Sequence, residues 1–403
     1  MRGSVRRRGA GWEYLYRELD PHSGKATRLR SKAGFATKAE AQAALTTVLA
    51  TMAQGSYVSP SQLTLKQFLE TRWLPSITAT IRPSTHYSYG RNMRLHVYPL
   101  LADVPLQRLE PSALNALYAQ LLKDGRKDQA AGGPLSAKSV RYVHDILNRA
   151  LQDAMRWQLV SRNVARLATP PKPKIADRRE QITWTRDELG AFLELSRPHR
   201  LHAAFFVLAM SGARRGEILA LRWSDVDLSV GRLYVRRSLV CVTHEAVYSD
   251  TKTTRSRRAI AVDPATVAAL RRHRAEQAAE KLAAGGDYDD RDLVFCDRQG
   301  RELHPERFTR TFQEQVAALG LPRVRLHDLR HTWATLALQT GIHPKIVSER
   351  LGHANTTITL DIYSHVMPSM HADAANEVAA FILGGNEPAD GRLPTEAGPR
   401  PRP

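Results

Sequence analysis

The chain has 403 residues, too many for one ordinary core and enough for two or three domains. Its 42% hydrophobic and 25% charged residues are usual for globular protein, but 59 Lys and Arg stand against 40 Asp and Glu, a formal +19. That excess points to a polyanionic partner, and membrane is the weaker choice: there is no run of about 18 apolar residues and no apolar h-region behind the basic start.

Residues 5–8, 12–18 and 26–31 read as short strands, with Asp20-Pro21-His22-Ser23-Gly24 as the turn between the last two. Thr37-Lys38-Ala39-Glu40 resembles a helix start, and an Ala-rich run carries that helix to about Ala53. A small basic α+β module over residues 1–58 is expected. Residues 61–168 read as helical. Leu65, Phe68, Leu69 and Trp73 recur at helical spacing, and Pro83-Ser84-Thr85 opens a helix carrying Tyr87, Tyr89, Met93 and Leu95. Two more helices cover 111–122, with Leu114, Leu117 and Leu121, and 136–158, with Val140, Val143, Leu147 and Leu151. A polar, Gly-rich loop, 125–134, joins them. Arg91, Arg94, Lys138, Arg141 and Arg149 decorate these helices, either as solvated faces or along DNA phosphates.

Thr169-Pro170-Pro171-Lys172-Pro173-Lys174 opens a stiff linker, 169–181. A third domain, 182–383, begins with helices at 185–196, 202–210 and 216–221. Strands follow at 232–242, 247–249 and 258–262, then helices start near Pro264, Pro305 and His327. The Gly- and Pro-rich tail, 384–403, is expected to be disordered. The fold class is therefore multidomain, mainly α with small β-sheets. Cys241 and Cys296 cannot form a disulfide framework and lack metal-ligand company, so a reducing cytoplasm fits; no metal or other cofactor is expected.

Four stretches of the third domain carry chemistry. In Ser211-Gly212-Ala213-Arg214-Arg215-Gly216-Glu217 a glycine turn feeds a helix, which sets Arg214 at a helix start suited to phosphate. Glu217, one turn on, is close enough to hold an arginine. A polar turn between two β-like runs presents Lys252 at its tip. In His327-Asp328-Leu329-Arg330-His331 the imidazole of His327 and the guanidinium of Arg330 share a helix face and can meet one anion. Last come Leu351-Gly352-His353 and, ten residues after that histidine, Tyr363. Each stretch alone has a bland reading as surface or core; their order and joint spacing do not.

The set Arg214, Lys252, His327, Arg330, His353 and Tyr363 resembles the active site of the tyrosine recombinase, or phage integrase, family. The family's stretches "TG-x-R-x-x-E", "H-x-L-R-H", "LGH" and a late tyrosine stand here in family order as "SGARRGE", "HDLRH", "LGH" and "DIYSHV". The resemblance covers the whole third domain as the catalytic domain. More loosely it makes 61–168 a helical core-site-binding domain and 1–58 an arm-site-binding module.

What the resemblance implies is a site-specific DNA recombinase of a phage or integrative element. Tyr363 is then the nucleophile that forms a 3′-phosphotyrosyl bond, and Arg214 and Arg330 clamp the non-bridging oxygens. His327 helps take the tyrosine proton, His353 contacts the phosphate, Lys252 is the acid for the leaving 5′ oxygen and Glu217 orients the site. Neither metal nor ATP is required. The implied partners are double-stranded attachment sites and three further copies of the chain on them, with an excisionase or DNA-bending protein as a further candidate. The two larger domains would clasp the duplex as a C-shaped clamp, and the apolar run 372–383 is either a helix given to a neighbouring subunit or one packed on its own domain. Location is expected to be the cytoplasm, at the nucleoid. The alternatives are a type IB topoisomerase and a DNA-binding architectural protein with a decayed site. The separate basic module and the "LGH" form speak against the first, and the presence of all six residues against the second.

Overall fold

The computed structural model describes residues 3–19, 26–55, 57–126, 132–173, 182–243, 245–250, 257–353, 355, 357, 359–360, 378–379 and 382–383. The chain divides into two compact units, Met1–Arg178 and Arg179–Pro403. Tyr363, Lys252, most of the 169–181 linker and the 384–403 tail lie outside the described residues.

The first unit opens with β1 (Gly3–Arg8), β2 (Gly11–Leu19) and β3 (Ala26–Phe35), an antiparallel sheet in that order. Strand alternation turns Tyr14 and Tyr16 of β2 to one face, where they bury against Leu45 of α1 (Lys38–Ala53). Thr37 caps that helix by accepting the Glu40 N–H, as the sequence signature predicts. Glu13, which precedes Tyr14 and so faces the other way, is buried and paired with Arg6 and Arg8.

The rest of this unit is helical and shares a second core. Leu65, Phe68, Leu69 and Trp73 are all buried there, along a run whose middle, Leu69–Trp73, is a π turn. α2 (Pro83–Asn92) likewise passes into a π turn, Met93–Val97. The wider turn rotates the following side chains, so Met93 and Val97 are buried while Leu95, expected on the apolar face, is only half-buried. α3 (Pro111–Asp124) and α4 (Ala137–Arg156) bury the predicted leucines and valines. Trp73 donates from Nε1 to Asp153 Oδ2 of α4 at 2.9 Å. Arg91, Arg94, Lys138 and Arg141 are exposed, whereas Arg149 is half-buried with its guanidinium over the Tyr89 ring.

In the second unit α5 (Arg186–Leu195) starts at a capping box of Thr185 and Glu188. α6 (His202–Ser211) ends at Gly212, whose φ of 65° is left-handed, and α7 (Arg215–Leu219) follows. Strands β4 (Val226–Asp227), β5 (Arg232–Val235), β6 (Arg237–Val242), β7 (Glu245–Asp250) and β8 (Arg258–Ala261) come next. Helices α8 (Pro264–Ala284), α9 (Pro305–Ala318), α10 (Asp328–Gln339) and α11 (Pro344–Leu351) follow. An aromatic core of Trp184, Phe192, Phe205, Phe308 and Phe312 ties α5, α6 and α9 together.

Two strand expectations need correction. The single strand expected over 232–242 is two strands, β5 paired with β8 and β6 with β7. Buried Asp225 draws both Arg236 and Arg237 toward it, at 3.4 and 3.6 Å, and the chain bends there. β7 and β8, the strands on either side of the segment holding Lys252, pair in two different sheets and not with each other. Among the described residues no helix is long and apolar enough to cross a membrane.

Candidate active site

Three backbone features assemble the site. The left-handed turn at Gly212 reverses the chain between α6 and α7, and a Cβ there would lie 2.8 Å from Leu351 and 3.0 Å from Trp333. A second left-handed glycine, Gly352 with φ 68°, ends α11 and brings His353 back toward the turn. The third is the start of α10, where His327 stands at the N-cap. There Arg325 fixes the chain by pairing with Asp328 at 2.7 Å.

Arginines then fasten these pieces. Arg330, only 3% exposed, donates from Nη1 to Gly212 O at 2.8 Å and from Nη2 to Leu351 O at 2.7 Å. Arg214, half-exposed, donates from Nη1 to Glu217 Oε1 at 2.8 Å and from Nη2 to Gly352 O at 3.1 Å. Two consecutive carbonyls, of Leu351 and Gly352, are thus held by the two arginines. The expectation that the helix start at Arg214 is itself suited to phosphate is corrected. Its own N–H is taken by Glu217 Oε2 at 2.8 Å, and α7 has only five residues, so positive charge here comes from the guanidinium.

Glu217 holds a second arginine that sequence reasoning missed. Arg258 of β8 donates to both Glu217 oxygens, at 3.1 and 2.9 Å, and from Nε to Arg350 O at 2.7 Å. The available signal was alternation: Arg258 shares the inward side of β8 with buried Ile260. Burial alone would push the Glu217 carboxyl up. The hydrogen bonds and charge of Arg258, with the Arg214 N–H and charge, outweigh that and hold it at about 2.

The histidines are kept neutral. Burial, then the charges of Arg330 and Arg214, lower His353 to about 4. Burial and the same two arginines also lower His327, against the pull of Asp328. His331, whose ring meets His327 edge-on at 5.2 Å, falls to about 4 through burial and that neighbour. His353 Nδ1 pairs with Thr359 Oγ1 at 2.8 Å. The structure therefore brings together Arg214, Glu217, His327, Arg330 and His353; Lys252 and Tyr363, being outside the described residues, add no geometry. A cluster of two guanidiniums and two neutral imidazoles can bind a phosphodiester and handle a proton beside it.

One expectation about cysteine is also corrected. Cys241 does have metal-ligand company, His304 and Glu306, brought to it by the fold from more than sixty residues away.

Residues 184–370 match the family model of the phage integrase family. A XerC-like tyrosine recombinase of Caldanaerobacter subterraneus subsp. tengcongensis is 26% identical over 363 residues, covering 86% of this chain and 90% of that protein. Among solved structures, the integrase of transposon Tn1549 in complex with transposon right-end DNA is similar with a TM-score of 0.63. It is 18% identical, covering 80% of this chain and 100% of that one. A lambda integrase tetramer bound to a Holliday junction is similar with a TM-score of 0.53 and 20% identity, covering 89% of this chain and 94% of that one.

Proposed function

The chain belongs to the tyrosine recombinase, or phage integrase, family, and from that premise we propose that it cuts and rejoins duplex DNA at specific sites through Tyr363. The observation that carries this reading is convergence. Arg214 and Glu217 are met by His327, Arg330 and His353 from more than a hundred residues further along the chain: the two arginines hold the Gly352 and Leu351 carbonyls, and both histidines lie in the field of the two arginines.

In the proposed reaction the Tyr363 oxygen attacks the scissile phosphorus and loses its proton as it does so, since a phenol has a reference pKa near ~10. The bond from phosphorus to the 5′ oxygen breaks, leaving a 3′-phosphotyrosyl link and a free 5′ hydroxyl. Arg214 and Arg330 meet the non-bridging oxygens, where their fixed charge supports the pentavalent state without a metal ion. His327 takes the tyrosine proton. A neutral imidazole suits that role, and the lowered His327 supplies one at physiological pH. His353 donates to the phosphate, Lys252 protonates the leaving oxygen, and Glu217 orients Arg214 without reacting. Attack by a second 5′ hydroxyl on the phosphotyrosine reverses the steps and needs no ATP.

The wider reading follows the same premise. Residues 61–168 bind the core site, residues 1–58 an arm site, and four copies act on two duplexes, aided by an excisionase or bending protein. The element served is a phage or another integrating element, and the protein works at the nucleoid. The test is a nicked duplex built from the attachment site beside the gene, with an SDS-stable protein–DNA adduct as readout. An adduct at the 3′ phosphate that disappears in Tyr363→Phe supports the reading. An adduct that persists in Tyr363→Phe removes the nucleophile from it.

A further inference from the structure

Cys241 lies on β6, His304 caps α9 and Glu306 sits in the first turn of α9. One donor atom from each, the Cys241 sulfur, a His304 ring nitrogen and a Glu306 carboxylate oxygen, all fall within 4.8 Å of one another. Cys241 Sγ and His304 Nε2 are 3.7 Å apart. Two ligands on one tetrahedral ion, with a metal–sulfur distance of about 2.3 Å and a metal–nitrogen distance of about 2.0–2.1 Å, stand about 3.5 Å apart. The observed spacing therefore matches a pair prepared to share an ion. Glu306 is exposed, so a rotamer change brings its oxygen the remaining distance at little cost.

The donor set is selective. A thiolate and an imidazole favour zinc-like ions over magnesium or calcium, which take oxygen ligands. Thiolate and carboxylate together balance a dication. Arg215 braces the frame: its Nη1 donates to Thr309 Oγ1 at 2.7 Å and to Pro305 O at 3.2 Å, pinning the helix turn that carries His304 and Glu306. The other cysteine has different company. Buried Cys296 accepts from Gln277 Nε2 at 2.9 Å and faces the Tyr288 hydroxyl.

We propose that Cys241, His304 and Glu306 form a three-ligand site for a thiophilic divalent cation of the zinc class, with water in the fourth position. None of the three takes part in the phosphotyrosine chemistry. The site adjoins it through Arg215, the residue next to Arg214, so an occupying ion stiffens the start of α7 and α9 together.

The experiment uses the full chain, reduced and stripped with a chelator, and titrates it with Co²⁺. A near-ultraviolet thiolate-to-cobalt absorption should grow to saturation at one ion per chain and vanish on adding Zn²⁺. Cys241→Ser should abolish it, His304→Ala should weaken binding at least about tenfold, and Cys296→Ser should leave it intact. Far-UV circular dichroism and cooperative urea unfolding establish that each variant is folded. On the unmodified protein, Zn²⁺ should also block alkylation of Cys241, read by peptide mass. No absorption in the wild type up to millimolar Co²⁺, absorption that survives in folded Cys241→Ser, or alkylation unaffected by Zn²⁺ would each overturn the site. None of these readouts depends on Tyr363.

Discussion

Arg258 and Glu217 meet as a two-pronged ion pair, Nη1 on Oε1 and Nη2 on Oε2, with 8% and 4% of their side chains left to solvent. The same carboxylate accepts from the Arg214 N–H and guanidinium. One acidic group thus fixes two arginines, at the N-cap of α7 and on β8, and its ionised form is secured because its pKa stands at about 2. The proposed phosphate clamp at Arg214 rests on this pair.

Glu217→Ala leaves the nearly buried Arg258 without its partner, and breaking a buried pair in this way costs about 3–5 kcal/mol. Urea unfolding of the second unit should shift by that amount with an unchanged slope. Arg258→Met in the Glu217→Ala background should recover part of the loss, because no buried charge is then unpaired. A double variant less stable than Glu217→Ala alone would contradict this account of the pair.

Arg214 and Arg330 respond differently to lysine. Arg330 spends two N–H bonds on the Gly212 and Leu351 carbonyls and is buried, so Arg330→Lys should lower both stability and adduct formation. Arg214 is half-exposed, with one prong on Glu217 and one on Gly352 O. Arg214→Lys should keep most of the stability and duplex affinity while adduct formation slows by about 10²–10³-fold, about 3–4 kcal/mol in the transition state. Equal loss of duplex binding and of cleavage in Arg214→Lys would assign it to binding alone.

Much of this was legible in the chain before any coordinates. Helix starts were local: Thr37 with Glu40, Thr185 with Glu188, and proline at 83, 111, 264 and 305 each mark one. The Arg214, His327, Arg330 and His353 set was legible because their motifs are short and ordered. Arg258 was not, since it is one of three arginines in four residues and only its pairing across the fold with Glu217 sets it apart. Leu95 misled because periodicity assumes 3.6 residues per turn and a π turn breaks that count. Cys241 misled for the opposite reason, as its neighbours are set by β6 packing near α9 and not by spacing.

Low pH should destabilise the second unit through its histidines. His331 and His353 stand at about 4 in the folded chain, against about 6.5 when unfolded. Between those values the unfolded chain binds more protons, so stability falls as pH drops through that window and is flat above it. The urea midpoint should therefore decline from about pH 6.5 toward pH 4, and His353→Gln should make the decline shallower. A bound phosphodiester offsets the arginine charges that depress His353, so duplex DNA should stabilise the protein more at about pH 5.5 than at about pH 7.5. A DNA-induced stabilisation that shrinks toward acid would remove His353 from the phosphate.

The proposed role of Lys252 makes a sharper prediction than loss of activity. If Lys252 protonates the leaving 5′ oxygen, Lys252→Ala should slow cleavage of an ordinary duplex by about 10²–10⁴-fold, the range for general acid catalysis. Replacing the bridging 5′ oxygen with sulfur changes the demand, because a thiolate departs without needing a proton. With that substrate, wild type and Lys252→Ala should cleave at closely similar rates, while Arg214→Lys remains slow because the clamp acts on the non-bridging oxygens. The comparison separates proton delivery from charge neutralisation within one experiment. A Lys252→Ala defect that persists undiminished on the sulfur-bridged substrate would assign Lys252 to the phosphate and leave the leaving-group acid to another residue.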